Sequence, residues 1–404
     1  MDYDFDLYED KAYIERRNAR RALEREKRRR KKLLIRRTTI VAVMLLIVVL
    51  IVTLIVLGVK AVFGGGNKGG KTEETQAPTV AMSSTNTNNN ALVFNEPDIP
   101  DDKTDGYTSS ANSGVYIYNK AAYELFAGSE SSAKDYADCI SEFKAQAGDK
   151  ITVYNMIIPN HTEFGIPKRL IQEGKVQSNN QAENIKTIYS SYTQDVVPIN
   201  CYNELSAHNS EYIYYNTDHH WTGHGGYYAY KAFCEQTGQK VLDLAICNEK
   251  QVPGYEGSLM YCDGSLYENL DTVHFWTFPY STYAMRTDSA GDEPYETTVY
   301  YEGATSGSYT YGAFIWGDCA LFVEHNNELS NGKKIAVIKE SYGNAFVPYL
   351  TANYEEVHVI DFRYFEDNLK DYCTTNGIEE VMFVNNIVAA NTAIQVDRIR
   401  TLFD

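Results

Sequence analysis

The distribution of apolar residues separates one long, uniform segment near the start of the chain from many shorter runs that follow it. No charged residue lies between Arg37 and Lys60, and residues 38–59 are almost entirely Ile, Val, Leu, Ala and Met. At a rise of about 1.5 Å per residue, these 22 residues span roughly 33 Å, the thickness of the hydrocarbon core of a bilayer. The pattern predicts one transmembrane helix at residues 38–59.

Shorter apolar runs alternate with amphipathic stretches from residue 114 onward. The apolar runs are rich in β-branched residues and predict strands at 115–118, 151–158, 335–338, 357–360 and 381–384. Longer stretches between or after them predict helices at 132–147, 180–192, 222–237, 366–375 and 391–402. Because buried strands alternate with helices, we expect an α/β fold with a parallel sheet flanked by helices.

Two stretches do not follow this alternation. Residues 60–113 begin with a glycine-rich run and continue with Thr, Ser and Asn, a composition that predicts a flexible linker. Residues 250–330 are rich in Tyr, Gly, Ser and Thr and hold few helix formers, which indicates a β-rich insertion. We therefore expect a tail at 1–37, then the membrane helix and the linker, and an ordered domain at 114–404.

The placement of charge predicts the orientation of the chain in the membrane. Residues 1–37 carry a net charge of +6, whereas residues 38–404 carry −23. The basic tail is expected in the cytoplasm, and the large domain outside it, at the cell membrane. A cleaved signal peptide is the alternative, but the apolar run is long and no A-x-A-like cleavage site follows it. The acidity of the domain argues against a nucleic-acid partner.

Asp218-His219-His220-Trp221 is the most unusual local cluster, and it precedes a predicted helix that starts at Thr222. A histidine at a helix N-terminus is favoured in its neutral, base-competent form. Asp218 could accept the Nδ1 proton of His220 and fix its tautomer, as in a catalytic triad. The alternative is that these polar side chains cap the helix and pack under Trp221.

A metal site is the third possibility for this cluster. His220 and His224 are four residues apart, and Asp218 and His219 are adjacent, which is compatible with zinc ligation. No H-E-x-x-H motif is present, and the seven cysteines form no C-x-x-C pair. We therefore expect neither a metal nor another cofactor.

Two further residues lie directly after predicted strands. Ser341 occupies a strand–turn–helix segment, where a serine is exposed above the sheet, although an ordinary N-cap would look the same. Asn386 could donate its amide to an oxyanion, or could serve as a turn residue. The carboxyl ends of neighbouring strands meet at one edge of a sheet, so Ser341, Asn386 and the Asp–His pair could share one cleft. Together they make a complete set for acyl transfer.

The sequence at this point resembles a known family. Thr217–Thr222 is similar to the signature of the DHHW proteins, which are relatives of the alginate O-acetylation proteins with an SGNH hydrolase-like fold. Further similarity to the family lies in Ile338–Tyr342 with Pro348–Leu350, in Val359–Tyr364 and in Phe383–Asn386. It covers most of the predicted domain.

The resemblance implies a circularly permuted SGNH order, in which the Asp-x-His pair precedes the serine. Carried over, Ser341 is the nucleophile, His220 the general base and Asp218 its orienting partner. The resemblance also implies an oxyanion hole lined by the backbone of Arg363 and Tyr364 and by the amide of Asn386. Three residues beside the triad are implied to line the substrate site: His219, Trp221 and Tyr342.

The resemblance implies a membrane-anchored, extracytoplasmic O-acetyltransferase or acetylesterase that acts on a cell-surface or cell-wall glycan. A membrane-bound O-acyltransferase is the implied partner that supplies acetyl groups. Two alternatives stay open at this stage. One is a non-catalytic protein of glycan binding or polysaccharide assembly, and the other is a metal-dependent hydrolase that uses the Asp-His-His cluster.

Overall fold

The computed structural model describes residues 89–404, and the structural statements that follow concern these residues. The predicted basic tail, the predicted membrane helix and the first part of the predicted linker lie outside them. Within residues 89–404, no helix combines the length and apolarity needed to cross a bilayer.

The described residues form thirteen strands and nine α-helices, with short 3-10 helices between them. The strands are β1 (Tyr107–Thr108), β2 (Val115–Tyr118), β3 (Ala121–Glu124), β4 (Thr152–Ile158), β5 (Val196–Ile199), β6 (Asn248–Tyr255), β7 (Asp271–Thr277), β8 (Thr282–Thr287), β9 (Tyr295–Thr297), β10 (Leu321–Asn326), β11 (Lys334–Lys339), β12 (Glu356–Asp361) and β13 (Glu380–Asn386). The α-helices are α1 (Glu130–Ala147), α2 (His161–Gly165), α3 (Lys168–Gln172), α4 (Gln181–Ser190), α5 (Tyr202–Ala207), α6 (Gly223–Thr237), α7 (Leu369–Asn376), α8 (Ile387–Ala390) and α9 (Ala393–Arg400).

Eight strands form the main sheet in the order β5-β4-β13-β11-β12-β10-β8-β9. The five strands from β5 to β12 are parallel, whereas β10, β8 and β9 continue the sheet in antiparallel pairing. The central parallel strands are buried almost throughout, as their continuous apolar runs require. Among the helices, α1 packs with α4 and α9, and α5 packs with α6. The fold is therefore a mixed α/β fold.

Four of the predicted strands, at 151–158, 335–338, 357–360 and 381–384, are confirmed as members of this parallel region. The strand predicted at 115–118 also exists, but it pairs with β1 and β3 in a separate three-stranded antiparallel sheet. The short strand β5 was not predicted, because its four residues include a proline.

The stretch predicted as a β-rich insertion is β-rich, but it is not a separate appendage to the sheet. Strands β8, β9 and β10 extend the main sheet itself, so the sheet is mixed rather than wholly parallel. Strand β10 alternates between buried and partly buried residues, which is typical of an antiparallel strand with one covered face. Strands β6 and β7 of this stretch form a separate two-stranded antiparallel sheet.

The ordered domain begins earlier than the predicted boundary at residue 114. The Asn200 side chain donates to the carbonyl oxygens of Ala91 and Val93, at 3.2 and 3.0 Å. Arg169 pairs with Asp101 at 3.0 Å, and β1 pairs with β2. The composition of this stretch is that of a linker, but distant partners hold it against the domain.

Candidate active site

Asp218, His220 and Ser341 form a continuous chain of hydrogen bonds. The Nδ1 atom of His220 lies 2.5 Å from Oδ1 of Asp218, and its Nε2 atom lies 2.7 Å from Oγ of Ser341. Asp218 and His220 are buried. An ionised carboxylate can only accept a hydrogen bond, so Nδ1 carries the proton and a neutral imidazole presents Nε2 as an acceptor to the serine hydroxyl.

The Asp218 carboxylate is held by several donors besides His220. Its Oδ2 atom accepts from the Tyr255 hydroxyl at 2.9 Å and from the backbone N–H of Ser258 at 2.7 Å. Burial favours protonation of this carboxyl, but the two neighbouring histidines and these hydrogen bonds hold its pKa well below its usual value. Asp218 is therefore a fixed negative charge beneath His220.

The turn that carries Asp218 is shaped by the following helix and by the chain opposite. Thr222 caps α6, and its side chain accepts from the N–H of Gly225. The buried Trp221 donates from its indole nitrogen to the carbonyl oxygen of Tyr342 at 2.8 Å, which joins this turn to the serine segment. Gly257 must be a glycine here, because a Cβ would lie 2.3 Å from the Thr217 carbonyl oxygen.

Ser341 follows β11 and begins a 3-10 helix that ends at Ala345. The carboxylate of the preceding residue, Glu340, accepts from the N–H of Tyr342 at 2.7 Å and from that of Asn386 at 2.6 Å. Tyr311 donates its hydroxyl to the Ser341 carbonyl oxygen at 3.1 Å and stacks on the ring of His220. These contacts fix the serine and the imidazole relative to each other.

His219 lies beside the triad with a different set of contacts. Its ring is 3.9 Å from that of His220, and its Nδ1 atom is 2.7 Å from Oγ of Ser258. Burial, and then the neighbouring His220, lower its pKa. The Tyr342 hydroxyl donates to the His219 carbonyl oxygen. His219 and Tyr342 thus lie beside the Asp218–His220–Ser341 chain, and their role in lining a substrate site stays a prediction.

The arrangement of ligand atoms bears on the metal interpretation. Asp218, His219 and His220 lie close enough together to share an ion. However, both ring nitrogens of His220 and both carboxylate oxygens of Asp218 already have hydrogen-bond partners. His224, the other residue of the sequence-based metal hypothesis, packs against Trp276 instead. A metal would have to break the Asp218–His220–Ser341 chain in order to bind there.

Comparison with known proteins identifies the family. The sequence profile described as "DHHW protein" matches residues 81–360, which is more than half of the chain. The chain belongs to the DHHW family. Residues Asp218–Trp221 have the sequence Asp-His-His-Trp, DHHW in one-letter code, and lie at the centre of the site described above. A search of curated protein sequences found no match.

The chain is also similar in fold to several solved structures. A DHHW family protein from Eubacterium siraeum matches with a TM-score of 0.67 and 26% identity, over 74% of this chain and all of that one. Bacillus cereus PatB1, solved with a sulfonyl adduct, matches with a TM-score of 0.57 and 19% identity, over 70% and 96% of the two chains. The O-acetyltransferase domain of Pseudomonas putida AlgJ matches at a TM-score of 0.43, with 13% identity over 71% and 98%. The family resemblance noted in the sequence is confirmed.

The residues expected to line an oxyanion hole do lie at strand ends, but their polar groups already have partners. The N–H of Arg363 donates to a side-chain oxygen of Asp361, and the N–H of Tyr364 donates to its carbonyl oxygen. The Asn386 side chain accepts from the N–H of Val388, as the cap of α8, and donates to the Ile158 carbonyl oxygen at 3.3 Å. The turn after β12 uses the backbone N–H groups of Arg363 and Tyr364, whereas the Asn386 amide has two N–H donors and uses one of them on Ile158. The oxyanion role of Asn386 therefore stays a prediction.

A buried charge network beneath the serine turn was not predicted. Lys339, in β11, is buried and lies 2.9 Å from Asp361 and 3.3 Å from Asp318. Arg363 pairs with both carboxylates, and Asn344 in the serine turn donates to Asp318 at 3.0 Å. Burial opposes the charge on Asp318, but Lys339 and Arg363 lower its pKa. A lysine inside an apolar strand was the available sequence signal, because such a charge needs a partner.

The β-rich stretch contributes several supports of the DHHW turn that sequence reasoning also missed. Besides Tyr255, Ser258 and Tyr311, it provides Asp271, whose carboxylate accepts from the backbone N–H groups of Asn216 and Thr217, both at 2.8 Å. No local pattern marks these residues, because their partners are thirty or more positions away in sequence.

Proposed function

We propose that this protein is an extracytoplasmic O-acetyltransferase or acetylesterase that acts on a surface or wall glycan, with Ser341 as nucleophile. The observation that carries the proposal is the chain Asp218–His220–Ser341, with 2.5 and 2.7 Å between successive polar atoms. Membership in the DHHW family supports it. The glycan and a membrane-bound O-acyltransferase partner come from the family resemblance and are part of the proposal, as is anchoring through residues 38–59.

In the proposed reaction, Oγ of Ser341 attacks the carbonyl carbon of an acetyl donor while its proton passes to Nε2 of His220. The bond between that carbon and the donor oxygen then breaks, and the leaving oxygen takes the proton from His220. A sugar hydroxyl attacks the acetyl-serine in the second half, or water does so in an esterase. The acceptor's proton passes to Nε2 of His220, the bond between the acetyl carbon and Oγ of Ser341 breaks, and Oγ takes the proton from His220, which regenerates the enzyme.

Asp218 has a positioning role in this scheme. It accepts the Nδ1 proton, which leaves Nε2 free to act as the base, and it stabilises the imidazolium that forms. Because its pKa is held well below the usual value, it stays ionised throughout the neutral range. Tyr255 and the Ser258 N–H keep the carboxylate oriented.

The first experiment measures hydrolysis of a small acetyl ester by the purified full-length protein, with water as the acceptor. Ser341→Ala and His220→Ala are each expected to remove most of the rate, and the double variant little more, because triad members act as a unit. Ser330→Ala, at an exposed serine in another loop, is the matched control and should keep the full rate.

The second experiment labels the nucleophile directly. Phenylmethylsulfonyl fluoride should add one sulfonyl group to Ser341 with loss of fluoride, as detected by peptide mass spectrometry. His220→Ala should slow the labelling, because the serine loses its base.

Chelator treatment should leave ester hydrolysis unchanged. A rate that survives Ser341→Ala and disappears with chelator would support metal-dependent hydrolysis instead, and glycan binding without any turnover would support the binding protein.

A further inference from the structure

The segment that precedes Asp318 has an unusual backbone. Three consecutive residues, Ile315, Trp316 and Gly317, have φ angles of 47°, 63° and 75°. Left-handed conformations are rare and strained for bulky residues, and more so for a β-branched residue such as Ile315. Such a conformation persists only where the surrounding structure enforces it.

Arg286 of β8 provides that enforcement. Its guanidinium donates to four successive carbonyl oxygens, those of Ile315, Trp316, Gly317 and Asp318, at 2.9 to 3.3 Å. Arg286 is itself buried. A buried cation that gathers these carbonyls offsets the strain of the left-handed turn and fixes its shape.

The strained turn leaves the indole ring of Trp316 partly exposed to solvent. Trp316 is 38% exposed, and its ring nitrogen donates to the Thr298 carbonyl oxygen at 2.9 Å, which fixes the ring. Tyr301 packs against it with ring centroids 4.3 Å apart and is itself 37% exposed. The other two tryptophans of the chain, Trp221 and Trp276, are buried. Trp316 is thus the tryptophan that the fold presents on its surface.

Trp316 and Tyr301 form an aromatic surface on the segment of chain that packs on the Asp218–His220–Ser341 chain. Tyr309, 86% exposed, lies two residues before Tyr311, whose ring stacks on His220 and whose hydroxyl bonds to the Ser341 carbonyl. At the other end of the segment, Asp318 accepts from Asn344 in the serine turn. The aromatic surface and the nucleophile are therefore held by one stretch of chain.

We infer that Trp316 and Tyr301 form a stacking platform for the polysaccharide acceptor. The inference rests on the proposed function and names where the acceptor chain lies. The face of a pyranose ring presents C–H groups, which pack favourably on the electron-rich face of an indole or phenol ring. The ring positions are set before binding by Arg286 and Thr298, so little conformational entropy is lost on binding.

The charge of the domain selects the class of polysaccharide. Residues 38–404 carry a net charge of −23, which repels a polyanion at the low ionic strength where such forces are strong. The platform is therefore assigned to a polysaccharide that carries no negative charge.

Binding can be measured apart from catalysis in full-length Ser341→Ala protein. The probes are cellohexaose and the hexamer of N-acetylglucosamine, which are uncharged, and an alginate hexamer, which is anionic. We expect at least one uncharged hexamer to bind, with a change in tryptophan fluorescence, and the alginate hexamer to bind at least tenfold more weakly. Trp316→Phe should remove the fluorescence change while calorimetry still detects binding, because the other two tryptophans are buried.

Further variants test the platform itself. Trp316→Ala and Tyr301→Ala are each expected to weaken binding of the uncharged hexamer by about tenfold or more, as at aromatic hot spots. Tyr107→Ala, at an exposed tyrosine of β1, is the matched control and should bind normally. Thermal unfolding of each variant checks that the fold is retained.

The outcomes separate this inference from the proposed function. The platform would be refuted if no uncharged hexamer binds. It would also be refuted if the Trp316→Ala and Tyr301→Ala proteins fold normally and bind as well as the Tyr107→Ala protein. Either result would stand even if acetyl-ester hydrolysis is intact. Trp316-dependent binding in a protein that shows no acetyl turnover would support the platform and contradict the proposed enzymatic activity. Preferential binding of the alginate hexamer would refute the assignment of ligand charge.

Discussion

At the scale of single residues, His220 is the centre of the site. One ring nitrogen faces a carboxylate and the other faces a serine hydroxyl, and Tyr311 covers one side of the ring. Since the carboxylate accepts only, these contacts select one tautomer of the imidazole. In the proposed reaction, this tautomer sets the direction of proton transfer, from Ser341 to Nε2 of His220.

The Asp218→Asn variant tests whether that tautomer matters. An amide in place of the carboxylate removes the negative charge and can direct its NH₂ toward Nδ1, which would place the histidine proton on Nε2. We expect kcat for ester hydrolysis to fall by about three to four orders of magnitude with the fold retained. Asp195→Asn, at an exposed aspartate, is the matched control. A full rate in Asp218→Asn would contradict the proposed base.

Glu324 is a second residue whose environment leads to a prediction. It is fully buried in β10, and neither carboxylate oxygen has a hydrogen-bond partner among residues 89–404. Burial raises its pKa well above the usual value. The folded state therefore retains the proton at a pH where the unfolded chain has lost it, so stability falls as pH rises above about 4.5.

Glu324→Gln should remove the loss of stability that wild-type protein shows as pH rises. At pH 7 the gain in unfolding free energy is expected to reach up to about 3 kcal/mol, and at pH 4 it should vanish because both states of the wild type are protonated. Denaturant unfolding of both proteins between pH 4 and 7.5 measures the difference. Glu293→Gln, at an exposed glutamate, should show no such trend. A gain that does not depend on pH would contradict the assignment of a buried neutral acid.

At the scale of elements, the site is built from two sources. The carboxyl end of β11 supplies Ser341, at the position where ligands bind in parallel α/β sheets. The stretch from β6 to β10 supplies the groups that hold Asp218 and His220. The β-rich stretch is therefore part of the scaffold of the candidate site as well as of the sheet.

Gly257→Ala tests this role of the β-rich stretch. An added Cβ would lie 2.3 Å from the Thr217 carbonyl oxygen and 2.5 Å from Cβ of Asp218, so the aspartate turn must shift. A displacement on the order of 1 Å at a catalytic group can cost about a hundredfold in rate, and we expect a loss of that size in kcat. Gly264→Ala is the control, since a Cβ there meets nothing within 4 Å. Equal rates for the two variants would mean that the close approach does not position Asp218.

At the scale of the whole molecule, the described domain includes a segment, residues 91–113, that was predicted as part of a linker. Residues 91–113 are joined to the rest through Asn200, Arg169 and the pairing of β1 with β2. Several hydrogen bonds and an ion pair are lost together if this stretch is removed.

Truncation provides the corresponding prediction. A fragment that begins at Gly114 should unfold at a temperature lower by about 4 °C or more than one that begins at Asn89, because the contacts of residues 91–113 are lost. Calorimetry of the two fragments measures the difference. Equal unfolding temperatures would show that the stretch contributes no net stability.

The sequence by itself determined those features that depend on neighbouring residues. The central parallel strands are buried on both faces and therefore appear in the sequence as continuous apolar runs, so they were predicted correctly. The Asp-His-His-Trp cluster and the serine after β11 were recognised because the residues of each motif are adjacent in the chain.

Only the tertiary structure decided features that depend on distant partners. The apolar run at Val115–Tyr118 could join any sheet, and its pairing with β1 and β3 placed it outside the main one. The family resemblance implied an oxyanion hole lined by the backbone of Arg363 and Tyr364, but in the fold the turn after β12 uses both N–H groups on Asp361. Burial of Lys339 next to two carboxylates likewise follows from strands that meet only in the folded chain. Local pattern specifies which strands and turns form, whereas hydrogen bonding and burial between remote segments decide which of their polar groups remain available for chemistry.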